Sequence, residues 1–168
     1  MSRPSRSLVA AGSILLIVAA LAAVLRSRPI STSPLEVPDR LGALELVETQ
    51  TGPAAAAEIA QLHGEVFPLA SAEIARYGSH REATLWVAAA ASEAGAAELI
   101  GAMRRALARG DSPFTPLEPL LVDGMTLDPL RGMDQEHVYF QSDRLVIWLA
   151  SDPSVAEAAR KAVVEAYR

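Results

Sequence analysis

Residues 8–25 (LVAAGSILLIVAALAAVL) form an apolar run of 18 residues without a single charge. At 1.5 Å per residue this is roughly 27 Å of helix, just enough for a thin hydrocarbon core. Arg3 and Arg6 precede the run and Arg26 and Arg28 follow it, where their stems can carry the guanidinium groups to lipid headgroups. A helix of a soluble core rarely lacks a polar face for so many turns, so the run reads as a transmembrane span. The competing reading is a cleavable signal peptide. Ala20-Leu21-Ala22 has the small residues for a cleavage site, but it lies inside the apolar run with Arg26 close behind. An uncleaved single-pass anchor is therefore expected over residues 1–28. The slight basic excess at its N-terminal end places the short tail inside and the rest of the chain outside.

Residues 29–40 (PISTSPLEVPDR) hold three prolines and no helical period, which predicts an extended stalk lifting a domain, 41–168, off the bilayer. Within that domain, Leu44 and Leu46 alternate with Glu45 and predict a strand over 41–47. Pro53 suits the first turn of a helix over 53–63, which should bury Ile59 and Leu62 and end at Gly64. Strands over 73–77 and 83–91 are expected around the turn Gly78-Ser79-His80. The stripe Ala96, Leu99, Ile100, Met103, Ala106 and Leu107 predicts a helix over 93–109, with a cationic last turn and Gly110 closing it. Three prolines make 111–120 a surface loop. Strands near 121–127, 136–141 and 144–150 follow, the last two joined at Ser142-Asp143. Asp152-Pro153 starts a final helix expected to bury Val155, Ala158, Ala159, Ala162, Val163 and Ala166.

A shift of 62 residues lays Tyr77 on Tyr139, Trp86 on Trp148, Ala88 on Ala150 and Ser92 on Ser154, while Leu85 and Val87 meet Ile147 and Leu149. Alanine matches mean little here, but this register superimposes both tryptophans and two of the three tyrosines. It points to a duplicated strand–turn–strand–helix unit, 77–109 and 139–168. The implied order βαββαβββα is satisfied by an α+β domain with one antiparallel sheet and its helices on one face, in a duplicated ferredoxin-like arrangement. Both tryptophans are then expected beneath the helices.

Composition removes several function classes. Alanine supplies 32 residues, and 14 of the 15 basic residues are arginine, a usage that reflects a GC-rich genome more than a function. From residue 29 onward there are 11 basic and 20 acidic side chains, so the domain carries about −9. Such a surface cannot neutralise phosphates, and no nucleic-acid partner is expected. With no cysteine, disulfides, thiolate metal sites and acylation of a cysteine are excluded.

Candidate chemistry is sparse. His63, His80 and His137 are the only histidines, at no spacing that makes a metal motif, and no metal or cofactor is expected. The segment 132–140 (GMDQEHVYF) is the densest in side-chain functionality, and Met133, Gln135, His137 and Tyr139 could line a small polar pocket with His63. Its plainer reading is a connection leading into an amphipathic strand. Glycine-rich phosphate loops, nucleophile elbows and assignable carboxylate pairs are all absent from the sequence. Two functions stay open. One is a non-enzymatic accessory or interaction domain, anchored by residues 8–25 outside a bacterial-type cytoplasmic membrane, with a protein partner there. The other is a small-ligand or metal-binding domain, open to catalysis, centred on 132–140 with His63.

Overall fold

The computed structural model describes residues 30–32, 34–63, 67–110 and 112–168. The apolar run 8–25 and the helix stop at Gly64 lie outside them. Among the described residues no helix is long and apolar enough to cross a membrane.

Among the described residues the chain forms nine strands and three helices, an α+β fold with one curled antiparallel sheet. The strands are β1 (Arg40–Leu41), β2 (Leu44–Thr51), β3 (Leu69–Tyr77), β4 (Ala83–Ala90), β5 (Thr115–Pro116), β6 (Leu120–Val122), β7 (Met125–Gly132), β8 (Gln135–Ser142) and β9 (Leu145–Ser151). The helices are α1 (Gly52–His63), α2 (Glu93–Ala108) and α3 (Ala156–Tyr167). The sheet order is β1-β2-β3-β4-β9-β8-β7-β5, with β6 also on β7. The second half is a tight meander because its hairpins need only two linking residues. Asp123-Gly124 and Met133-Asp134 both take positive φ at each position, the conformation whose twist matches a hairpin.

Side-chain parity along the central strands splits the core in two. Leu85 and Val87 of β4, Ile147 and Leu149 of β9 and Val138 and Phe140 of β8 face α3, against Val163, Val164 and Tyr167. The alternate positions, Trp86, Ala88, Val146, Trp148 and Tyr139, face α1 and α2, against Ala55, Ile59, Ala96 and Ile100. The expectation of helices on one face is therefore corrected: α3 covers one face, and α1 and α2 the other. The central strands are apolar on both sides, so each side requires a cover. The ferredoxin-like arrangement is corrected too. A split βαβ unit needs parallel strands joined by a crossover, whereas α1 joins β2 and β3, which are antiparallel neighbours.

The 62-residue register matches β4 to β9 but not the strands that precede them. Trp86 and Trp148 are direct partners in the β4–β9 ladder, both half-buried on the same face. Trp86, however, pairs across its hairpin with Ile74, and Trp148 with Tyr139, because 78–82 link β3 to β4 while two residues link β8 to β9. Ile74, not Tyr77, is thus the counterpart of Tyr139. An odd slip of three also turns Tyr77 to the α3 face. With α2 and α3 on opposite faces, the two hairpin–helix pieces do not form equivalent units.

The largest departure from expectation is residues 30–40. They are no stalk but an arm built into the domain. Ser31 bridges Ser71 at the start of β3, and its amide donates to the Ala70 carbonyl at 2.8 Å. Leu35 and Val37 pack against the α3-side core. Between the Ser31 bridge and β1, its backbone groups find partners on the sheet and on α3. On the helices, Leu62 is 62% exposed rather than buried, and α3 buries Ala156, Ala159, Val163, Val164 and Tyr167, leaving Ala158 and Ala166 exposed.

Candidate functional site

Two places concentrate polar chemistry in the interior. The first is on the α1–α2 face around His137. Cross-strand pairing sets a lateral row, Ile74, Trp86, Trp148, Tyr139 and Asp128, beside a second row, Arg76, Thr84, Ala150, His137 and Leu130. The Trp148 indole stacks on Tyr139 (centroids 5.4 Å apart, 15° between planes), and Phe114 meets both His137 and Trp148 edge-on at 4.7 and 5.5 Å. Arg104 of α2 reaches down to Asp128 with its Nη2 at 2.7 Å and Nε at 3.2 Å from Oδ2. This charge-assisted pair ties the helix to the row.

His137 is 5% exposed and its tautomer follows from its partners. An indole N–H can only donate, so Trp148 Nε1 at 3.2 Å makes His137 Nδ1 the acceptor. The proton therefore sits on Nε2, which donates to the Gly132 carbonyl at 3.1 Å. Burial lowers the pKa of the ring, opposed in part by that carbonyl. His137 is thus a neutral imidazole with both nitrogens engaged, a bracing group between a strand and a tryptophan. It offers neither a metal nor a substrate a lone pair.

The other residues proposed with it do not gather around it. Met133 is 71% exposed at the tip of the β7–β8 turn. Gln135 donates through Nε2 to Asp152 Oδ1 at 3.2 Å. Tyr139 joins the cluster as a stacking partner of Trp148. His63 ends α1, its Nδ1 2.9 Å from the Ile59 carbonyl and its ring 5.1 Å from Phe67. Helix α1 lies over β2 and β3, and β8 is three ladder spacings, roughly 14 Å, from β3. His63 and His137 therefore do not converge. Among the described residues no group of three or more acids and histidines is placed to hold a metal ion.

The second place was missed in the sequence. Under the arm, on the α3 face, three buried polar side chains each take a backbone group of the arm. Glu73 Oε2 accepts from the Leu35 amide at 2.7 Å, Tyr77 donates to the Pro38 carbonyl at 2.8 Å, and Tyr167 donates to the Glu36 carbonyl at 2.8 Å. Glu73 is 3% exposed, and burial raises its carboxyl above the usual range, with the Leu35 amide opposing. Burial, with the neighbouring carboxylates, pushes both phenols well above their ordinary range, so both remain donors. One signal was available. Glu73 has the inward parity of Ala75 and Tyr77, and an acid facing a core demands a partner.

On the surface, an open groove of about 320 Å³ runs between Phe67–Pro68, the end of β4 at Ala90 and Ala91, and Gly95, Leu99 and Ala102 of α2. Its walls are mostly apolar. The chain matches no family model, no curated protein and no solved structure.

Proposed function

We propose that this chain is a non-enzymatic accessory or interaction protein, anchored through residues 8–25 in a bacterial-type cytoplasmic membrane. Its folded domain lies outside the cytoplasm and meets a protein partner there. The observation that carries the reading is the clipped arm. The backbone that joins the apolar run to the domain is held by Glu73, Tyr77 and Tyr167. A segment that only linked two independent parts would need no such fastening. This favours a domain held at a fixed place on its anchor, as a membrane-side assembly requires. His137, the strongest candidate for chemistry, is consumed by internal bracing, which favours binding over catalysis.

The acidic surface supports a protein partner over nucleic acid. Contact at the outer edge would run through side chains. Leu117, Leu120 and Leu121 are 46%, 36% and 75% exposed there, and Pro116 and Pro119 lack the amides that strand addition requires. A fractionation experiment tests the anchor. The full chain should stay in the membrane pellet through alkaline carbonate, with a C-terminal reporter active only after export. Deleting residues 1–28 should release a folded, soluble domain. A full chain in the soluble fraction, or a reporter active in the cytosol, overturns the reading.

A further inference from the structure

Resting on that membrane-anchored reading, we infer that the apolar groove between Phe67 and α2 is the surface by which the domain lies against the lipid bilayer. The argument begins with the arm. Because Ser31, Leu35, Glu36 and Pro38 are fastened to the domain, the sequence leaves only residues 26–29 between the apolar run and Ile30. The five peptide units from Leu25 to Ile30 span at most roughly 18 Å. If Leu25 sits at the edge of the hydrocarbon core, Ile30 lies within that distance of it, a reach comparable to the headgroup layer and one turn of chain beyond it.

The direction of exit is fixed as well. The Ser31–Ser71 bridge is parallel, so stepping back from Ser31 to Ile30 moves along β3 toward Leu69 and Pro68. Ile30 packs in the same apolar cluster as Phe67 and Leu99, which line the groove. The chain therefore leaves the domain at the groove's own rim. Leu62, 62% exposed in the last turn of α1, precedes His63, whose ring meets the groove residue Phe67. Glu98 is the one charged side chain among those lining the groove, and it is exposed, so its carboxylate can remain in water while the floor of Ala90, Gly95, Leu99 and Ala102 is covered. An apolar surface held beside the headgroups removes area from water when it settles among them. The acidic domain gains nothing from anionic lipid, so docking is expected on zwitterionic membranes.

The absence of cysteine makes the test direct. Full-length single-cysteine variants Leu62→Cys, Leu99→Cys, Leu121→Cys and Val18→Cys carry an environment-sensitive fluorophore in phosphatidylcholine vesicles, with and without lipid bearing a nitroxide near the top of its acyl chain. Leu121, on β6, lies five ladder spacings or roughly 24 Å from β3 and serves as the distant surface. Labels at Leu62 and Leu99 should lose emission to the lipid nitroxide and resist aqueous iodide, as the Val18 label does, while the Leu121 label behaves oppositely. Leu62 is exposed, so its variant keeps the test valid if Leu99→Cys disturbs the fold. Quenching at Val18 with none at Leu62 or Leu99 overturns the docking while leaving the anchor intact. No quenching at Val18 removes the anchor and the docking with it.

Discussion

Removing the two phenolic hydroxyls that hold the arm isolates the arm's contribution without touching the core. Tyr77→Phe and Tyr167→Phe keep the ring volume, so no cavity opens. What each loses is a 2.8 Å hydrogen bond to a backbone carbonyl, of Pro38 and Glu36 respectively. Tyr77 is wholly buried and Tyr167 8% exposed, so water can replace the lost donor only if the arm lifts. A net hydrogen bond is worth about 1 kcal/mol, and a stranded buried partner adds to the cost, so each variant should lose about 1–2 kcal/mol. Against a total of roughly 5–15 kcal/mol this is readily measured.

The assay is urea unfolding of residues 29–168, followed by tryptophan fluorescence, with hydrogen exchange at the Leu35 amide in parallel. Both hydroxyls hold the same segment, so the double variant should cost less than the sum of the singles. Once the arm is free, the second hydroxyl has nothing left to hold. The Leu35 amide, which donates to Glu73, should exchange faster in either single variant. Single variants with wild-type midpoints and unchanged exchange at Leu35 would refute the view that these hydroxyls fasten the arm.

Two further outcomes are expected. Burial raises the Glu73 carboxyl above its ordinary value near 4.5, so the folded state keeps that proton longer than the unfolded chain does. Stability is then full below 4.5 and declines as pH rises from there through the raised value. Glu73→Gln should flatten this decline and gain stability over the wild type at neutral pH; identical pH profiles for the two proteins would count against the buried carboxylate. The tryptophans should also differ. Trp148 donates to His137, whereas the buried Trp86 Nε1 has no partner among the described residues. Trp148→Phe should therefore cost more than Trp86→Phe by about 1 kcal/mol or more, read from urea midpoints. Equal costs would remove the bracing role given to the indole–imidazole bond.

How far the sequence could be read depended on whether the deciding interaction was local. Helix α2 was legible because Ala96, Ile100 and Leu107 keep one stripe and Ser92 caps the first turn, its Oγ accepting from the Gly95 amide at 3.1 Å. Strands β4, β8 and β9 were legible as short apolar or amphipathic runs and the β8–β9 turn from Ser142-Asp143, whereas the strand expected over 121–127 is broken by the Asp123-Gly124 turn between β6 and β7. The face taken by each helix was not. Both β4 and β9 are apolar on either side, so parity cannot say which side the following helix covers. In α3 the alanines surround the helix, and only the bulk of Val163, Val164 and Tyr167 selects the buried face. The His137 cluster failed for a related reason. Residue types suggested a ligand site, but Trp148, eleven positions away in sequence, takes the nitrogen a ligand would need.

The arm is the sharpest case. Its prolines are plain in the sequence, while its docking was invisible because its partners lie 38, 39 and 131 residues away. The trace it left was indirect, a lone acid at an inward position of β3. The same nonlocality gives the arm its consequence. A free stalk would leave residues 34–40 unfastened, whereas the arm ties Leu35, Glu36 and Pro38 to β3 and α3.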